Sequence, residues 1–183
     1  MNNKPRLKEQ YDDKIIPALM KELGIANKMA IPCIKKVSVN VGVGKIATKD
    51  TKLIEQVVDN LAKITGQKPV IVKSRKSIAA FKLREGMPIG VMVTLRGPKM
   101  YEFLDRLINI SLPRIRDFRG MNEKAFDDQG NYSLGIKEHS VFPEIILEST
   151  EMTHGIQVNI NMNTKDKQSA LTLLKHLGFP FKS

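Results

Sequence analysis

One cysteine, no tryptophan, 5% aromatic residues and no apolar run of membrane-spanning length mark out what this 183-residue chain is not. With Cys33 alone, neither an intramolecular disulfide nor a cysteine-ligated zinc site can form. Its neighbours Pro32 and Ile34 suit a small buried side chain better than a catalytic thiolate, and a reducing, cytoplasmic setting fits. Crossing a bilayer takes roughly 20 consecutive apolar residues, so no membrane partner is expected. The opening Met1-Asn2-Asn3-Lys4-Pro5-Arg6 runs into a polar stretch instead of a signal-peptide core. Repeats, linkers and low-complexity tracts are lacking too.

Catalytic and ligand-binding signatures are equally scarce. His139, His154 and His176 show no paired metal-ligand spacing, and no serine sits in a nucleophile elbow. Gly42-Val43-Gly44-Lys45 resembles the end of a phosphate loop, but Val39 and Ile46 stand where that motif needs Gly and Ser or Thr. The two glycines are better read as places where backbone turns or lies close to a partner. Asp127-Asp128-Gln129-Gly130-Asn131 lacks the periodic ligands and distal Glu of a calcium loop and reads as a turn. No metal, cofactor or enzymatic reaction is expected.

Positive charge is what the chain has in abundance. Thirty Lys and Arg face 19 acids, a net charge of +11, which calls for a polyanionic partner. The excess is local. Residues 66–120 carry twelve cations and four anions, whereas residues 121–183 carry six and eight. The polyanion therefore belongs to the first two-thirds of the chain. Between Gly66 and Arg84 stand Lys68, Lys73, Arg75, Lys76, Lys82 and Arg84 without a single acid.

A hydrophobic fraction of 42% supports a real core. Leu7, Tyr11, Ile15, Leu19 and Leu23 recur at helical spacing, with Pro17 expected to kink or divide the helix and Gly24 to stop it. Val37, Val39, Val41 and Val43 alternate with Lys36, Ser38, Asn40 and Gly42, the pattern of a half-buried strand. Asp50 is the expected cap of a helix bearing Leu53, Ile54, Val57, Val58 and Leu61, closed by Gly66. Strands are expected at 70–73, 89–95, 132–136 and 156–162. A helix starting near Pro98 should end at Pro113, and another, capped by Thr164, at Gly178. One-sided strands with intervening helices predict an α+β fold: a mostly antiparallel sheet, helices packed on one face, the other face polar and, given the basic excess, as well suited to be RNA-facing as merely solvated. The expected organisation is a single compact unit over 1–183, with parts at about 1–83 and 84–183 sharing one sheet.

The polar face would show Lys36, Ser38, Asn40, Thr94, Arg96, Asn159 and Asn161, which suits a solvated sheet or an RNA dock. The basic stretch Lys73 to Gly86 lies between two strands and is too long for a tight hairpin. Its cations can neutralise phosphates, while Phe81 is free to stack on a base or to enter the core. Arg114, Arg116 and Arg119 form a second cluster that could bind phosphate or carboxylate, or simply end a helix with Asp117 paired locally. Without paired aromatics on a strand, folded RNA recognised by shape, backbone and 2′-hydroxyls fits better than a stacking platform. An RNA-modifying enzyme and a regulatory RNA-binding module are the competing classes.

Several motifs are shared with a known family. Asn27-Lys28-Met29-Ala30-Ile31-Pro32, Val39-Asn40-Val41-Gly42-Val43-Gly44, Thr65-Gly66-Gln67-Lys68-Pro69, Phe81-Lys82-Leu83-Arg84-Glu85-Gly86-Met87-Pro88-Ile89-Gly90, Thr94-Leu95-Arg96-Gly97, Pro113-Arg114-Ile115-Arg116-Asp117-Phe118-Arg119-Gly120, Gly130-Asn131-Tyr132-Ser133 and Phe142-Pro143-Glu144-Ile145 together resemble the bacterial ribosomal protein L-five family over nearly the whole chain. Ala80 departs from the pattern, standing where a glycine is frequent. The resemblance implies a structural protein of the large ribosomal subunit that binds 5S rRNA, helps attach it to large-subunit rRNA at the central protuberance, and is not an enzyme. It implies an rRNA-binding face at Lys36, Ser38, Asn40, Gly42, Gly44, Gln67, Lys68, Thr94 and Arg96. It also implies a loop contacting P-site tRNA through Ser74, Arg75, Lys76, Ser77, Phe81, Lys82 and Arg84. A bridge to small-subunit ribosomal protein S-thirteen would use Arg114, Arg116, Arg119, His139, Phe142 and Glu144.

Overall fold

The computed structural model describes residues 4–44, 52–145 and 153–182. Five strands, β1 (Ile34–Gly42), β2 (Val70–Lys73), β3 (Pro88–Leu95), β4 (Tyr132–Ile136) and β5 (Ile156–Met162), bond side by side in the order β2-β3-β1-β5-β4. Their sense is antiparallel. Val43 N–H donates to Ile89 C=O, Asn163 N–H to Cys33 C=O and His139 N–H to His154 C=O, each joining the end of one strand to the start of its neighbour, or the reverse. At the edge, β2 lies antiparallel to β3 with Val70 opposite Met92 and Val72 opposite Gly90. The α+β class expected from the alternating patterns is the class observed.

Burial follows the sequence period. Val37, Val39 and Val41 are buried while Ser38 and Asn40 are half-exposed and Gly42 is open; Ile156, Val158, Ile160 and Met162 repeat this in β5. A pleated strand turns alternate side chains to opposite faces, so removing the valines from water fixes the register. β2 is the exception, since all four of its residues are exposed.

Two compact units divide the chain: Met1–Val37 with Leu95–Leu134 and Asn159–Ser183, and Ser38–Thr94 with Gly135–Val158. In the first, the N-terminal helix runs as α-helix over Arg6–Gln10, widens to a π-turn over Tyr11–Ile15 and resumes as α-helix over Ile16–Leu23. Pro17 explains the change, because it has no N–H to give and its ring crowds the carbonyl four residues back. Leu7, Tyr11, Ile15 and Leu19 stay buried through the π-turn, and Gly24 stops the helix at φ +66°. The Gly97–Arg106 helix carries Pro98 in its first turn, then passes into a π-turn (Leu107–Ser111) and a 3-10 turn (Leu112–Arg114), so regular α-helix ends well before Pro113. Arg6 and Asp105 form an exposed ion pair between the two helices. Thr164 does not cap the last helix. Asp166 does, its carboxylate accepting from the Gln168 and Ser169 N–H groups ahead of Lys167–His176, while Thr164 Oγ1 accepts from Asp166 N–H. A carboxylate also complements the positive end of the helix better than a hydroxyl does.

In the second unit the Lys52–Thr65 helix buries Ile54, Val57, Leu61 and Ile64 and ends at Gly66 with φ +66°. The expected cap Asp50 lies outside the described residues. Among the described residues, no helix is long and apolar enough to cross a membrane.

Candidate nucleic-acid interface

The second unit brings together most of the residues expected to meet RNA. On β1, Ser38, Asn40 and Gly42 share the open face; on β3, Met92 and Thr94 are their counterparts. Gln67, beyond the Lys52–Thr65 helix, reaches β3 and donates from Nε2 to the Thr94 carbonyl at 3.2 Å. That bond holds Gln67 at the sheet while using only part of its amide. The side chains of Ser38, Asn40 and Thr94 have no hydrogen-bond partner among the described residues, so their capacity is open to a ligand. A Cβ added to Gly42 or Gly44 would meet nothing within 4 Å. Neither has a positive φ, so their backbone does not require glycine, and no described residue fills the space above them. Lys36 and Arg96, also expected in this set, belong to the first unit, the former half-exposed and the latter exposed.

The basic loop between β2 and β3 is a built hairpin. Ser74 N–H donates to Met87 C=O at 2.7 Å and Gly86 N–H to Ser74 C=O at 3.0 Å, closing its base. Further out, Ile78 and Leu83 exchange both backbone bonds, at 2.9 and 3.1 Å. The tip turns through a 3-10 segment, Ala79–Phe81, and Lys82 at φ +51°. Two serines expected to touch RNA do structural work here: Ser74 is buried with its hydroxyl on Lys76 C=O, and Ser77 Oγ accepts from Glu85 N–H at 2.9 Å. Arg75, Lys76, Lys82 and Arg84 are exposed, and no ion pair joins them to an acid among the described residues. Phe81 is 74% exposed, which removes the core alternative for its ring.

The third group is dispersed. Arg114, Arg116 and Arg119 lie exposed in the first unit and Asp117, at φ +54°, makes no ion pair with them. His139, Phe142 and Glu144 belong to the second unit. His139 and Phe142 are buried, so neither side chain can itself touch a partner. Gly120, which closes the arginine motif, is structural. At φ +92° its added Cβ would stand 2.7 Å from Lys182 N, where Met121 and Lys182 bond the C-terminal segment to the motif.

Two features carried little sequence signal. The His139 and His154 rings stack at 4.2 Å and 7° inside the second unit, fifteen residues apart in the chain. Val70, Ile71 and Val72 are exposed on β2, where an apolar run with no polar alternation reads as buried. The turn at Asp127 is a turn: its carboxylate accepts from the Gln129 and Asn131 N–H groups and from Asn131 Nδ2. No cluster of metal-ligating groups occurs among the described residues.

An α+β sheet with an open polar face, flanked by a basic hairpin whose cations pair with no acid among the described residues, has the form of a docking surface for a polyanion. Comparison gives the particular kind: residues 27–84 match the family model described as Ribosomal protein L5, and residues 88–181 match the ribosomal L5P family C-terminus. The chain is 54% identical over 177 residues to the large ribosomal subunit protein uL5 of Acidobacterium capsulatum, covering 97% of each. It is 54% identical to that of Desulforapulum autotrophicum, covering 97% of this chain and 98% of the relative. With the same-named protein of Halothermothrix orenii identity is 52% over 175 residues, covering 96% and 97%. The chain belongs to the ribosomal protein L5 family, structural proteins of the large ribosomal subunit. The RNA-modifying enzyme weighed above falls with that membership.

Proposed function

We propose that this protein binds 5S rRNA on the open sheet face of its second unit, helps attach it to large-subunit rRNA at the central protuberance, and meets P-site tRNA with its basic hairpin. The observation that carries the reading is the division of that unit's surface. One part presents Ser38, Asn40, Gly42 and Thr94 from β1 and β3; the other is a hairpin whose cations pair with no acid among the described residues. A folded RNA docked on the first part is oriented by Ser38, Asn40, Thr94 and Gln67, with Gly42 and Gly44 admitting its backbone closely. Lys68 supplies phosphate charge beside them, and Lys36 and Arg96 are separate candidates for phosphate contact in the first unit. The hairpin reaches a second RNA through Arg75, Lys76, Lys82 and Arg84, with Phe81 available to stack. Its serines hold its shape. The function is positioning, and no bond is made or broken.

A bridge to small-subunit protein S-thirteen is proposed for Arg114, Arg116 and Arg119, and for Glu144 in the second unit. His139 and Phe142 would shape that segment from inside.

The test is binding of the purified chain to 5S rRNA over a salt series, with total tRNA and an unrelated RNA duplex as competitors. About six phosphate contacts give a log–log salt slope of roughly −4 to −5, with clear preference for 5S rRNA. Equal affinity for all three RNAs overturns the proposal.

A further inference from the structure

The arginine loop of the first unit is held at its two ends and not between them. At the near end, Ile115 N–H donates to Leu112 C=O at 3.2 Å, and Leu112 is buried. Beyond it Arg116 and Asp117 turn the chain, Asp117 at φ +54°. Among the described residues, no backbone hydrogen bond ties residues 116–120 to another segment. The far end is Met121, and a distant part of the chain holds it. Met121 N–H donates to Pro180 C=O at 2.7 Å, and Lys182 N–H donates to Met121 C=O at 3.0 Å. Residues 180–182 thus lie beside Met121 as a single parallel bridge.

Side chains lock that bridge. Phe181 stacks on Phe126 with centroids 6.3 Å apart and 20° between the planes, and meets Tyr132 edge-on at 5.8 Å. Tyr132 OH in turn donates to Asn122 C=O at 3.0 Å, one residue past Met121. Lys175 pairs with Glu123 at 2.9 Å, and its ammonium stands 6.0 Å from the Phe181 ring centroid. Gly120 lets the two backbones close, since a Cβ there would lie 2.7 Å from Lys182 N and 2.9 Å from Phe181 C. All of these residues belong to the first unit. The arginines beside the bridge are exposed and pair with no acid among the described residues. A loop that sampled many arrangements would be ordered at the expense of binding; fixing its far end beforehand removes part of that cost.

We infer that Phe181 and Lys182 are positioning residues for the arginine loop: their bridge at Met121 holds Arg114, Arg116 and Arg119 in one arrangement for the small-subunit protein they meet. Neither residue touches that partner in this account; both act through the backbone at Gly120 and Met121. The inference rests on the reading above that these arginines bridge to the small subunit.

The experiment uses two pairs of full-length variants. Lys182→Pro removes the N–H that Met121 C=O accepts, whereas Lys182→Ala removes only the charge. Phe181→Ala removes the ring, whereas Phe181→Tyr keeps it. Circular dichroism confirms the fold; should Phe181→Ala fail to fold, Lys182→Pro carries the test. Hydrogen exchange then reads the loop locally. Amides of residues 116–121 should exchange about tenfold faster or more in Lys182→Pro and Phe181→Ala, and at the wild-type rate in Lys182→Ala and Phe181→Tyr, with β1 and β5 unchanged in all four. Large subunits carrying each variant are next titrated with small subunits and followed by light scattering at limiting magnesium. The two disrupting variants should associate about threefold to tenfold more weakly, with incorporation into large subunits unchanged. Wild-type exchange at 116–121 in the disrupting variants overturns the inference, and so does exchange that rises equally throughout the chain. Faster loop exchange with unchanged association also overturns it, because the bridge then only fastens the chain. Reduced incorporation with unchanged association would give the loop to RNA inside the large subunit, and overturns it too. Arg114, Arg116 and Arg119 replaced together by Ala, measured alongside, separate the two levels. If that variant weakens association and Lys182→Pro does not, only the positioning role fails; if neither does, the arginine bridge itself is wrong.

Discussion

Lowering the pH should loosen this protein well before its carboxylates protonate, because two imidazoles are buried face to face. His139 is 0% exposed and His154 6%, with rings 4.2 Å apart. His154 N–H donates to His139 Nδ1, and His139 N–H returns a bond to His154 C=O. The Nδ1 that accepts must be unprotonated, and His139 Nε2 and both His154 ring nitrogens find no hydrogen-bond partner of good geometry among the described residues, only the Gly155 backbone lending His154 a small upward pull. Burial, reinforced by the neighbouring His139, pushes the His154 pKa down from 6.5 to about 4; burial also lowers His139, against a smaller upward pull that includes Glu138. The unfolded chain therefore takes up a proton near pH 6.5 that the folded chain refuses until near pH 4. Above pH 6.5 both states are neutral and nothing is lost. Stability falls as pH drops between those values, at up to about 1.4 kcal/mol per pH unit. For His154 alone the loss reaches about 2 kcal/mol by pH 5 and about 3 kcal/mol once both states are protonated. Urea unfolding at pH 7.5 and pH 5.0, at constant ionic strength, reads this as a midpoint lowered by about 1 M for a slope near 2 kcal/mol/M. His154→Phe keeps a ring on the stack and removes the titration, so its midpoint should move much less. Asp127 and Asp166 are held below the usual carboxylate range by the N–H groups they accept, so their contributions are lost at lower pH than this window. Equal pH shifts in wild type and His154→Phe would refute the reasoning.

Asn40→Ala should weaken 5S rRNA binding by about 1–3 kcal/mol by leaving a docked RNA group unpaired; unchanged affinity in gel shift, with the fold intact, would remove Asn40 from the face. Replacing Arg75, Lys76 and Lys82 by Ala should spare 5S rRNA affinity while impairing P-site tRNA placement on reconstituted ribosomes, and equal loss of both would erase that division. Gly120→Ala asks a side chain to adopt φ +92° against the Lys182 backbone; a loss of about 2 kcal/mol or more is expected in urea, and full stability would mean the C-terminal segment yields freely. Asp166→Ala removes the cap of the last helix and should cost about 1 kcal/mol, a melting shift of about 2–4 °C.

Wherever one physical preference dominates, the sequence was enough to place structure. The alternating valines of β1 and the Ile156–Met162 pattern had to become one-sided strands, and they did. The Lys52–Thr65 helix followed from its apolar spacing and Gly66. What was hidden depends on neighbours distant in the chain. Val70-Ile71-Val72 reads as a buried strand in isolation, and only its place at the sheet edge makes it exposed. The stacked histidines come together through the β4–β5 connection, fifteen residues apart, without a motif. Thr164 and Asp166 both carry a capping oxygen; the choice lay with the backbone, which enters the helix two residues later than Thr164 required.

The candidate sites divide along the same line, and this changes what their residues mean. Charge is legible because solvation keeps cations at the surface: Arg75, Lys76, Lys82, Arg84, Arg114, Arg116 and Arg119 are all exposed, as their composition required. Small polar residues, glycines and histidines carry no such constraint. Ser74 and Ser77 were drawn toward RNA by their loop but are spent on holding it in shape; His139 was drawn toward a bridge but is buried; Gly120 accompanied three arginines but serves the C-terminal segment. Asn40 and Thr94 differ from these because strand geometry alone faces them outward, with hydrogen-bonding groups that no described residue uses. A polar side chain is a candidate for recognition only after its own fold has declined it. On that criterion the sheet face and the hairpin cations, which pair with no acid among the described residues, stay candidates for recognition, whereas Ser74, Ser77, His139 and Gly120 are taken up by the fold itself.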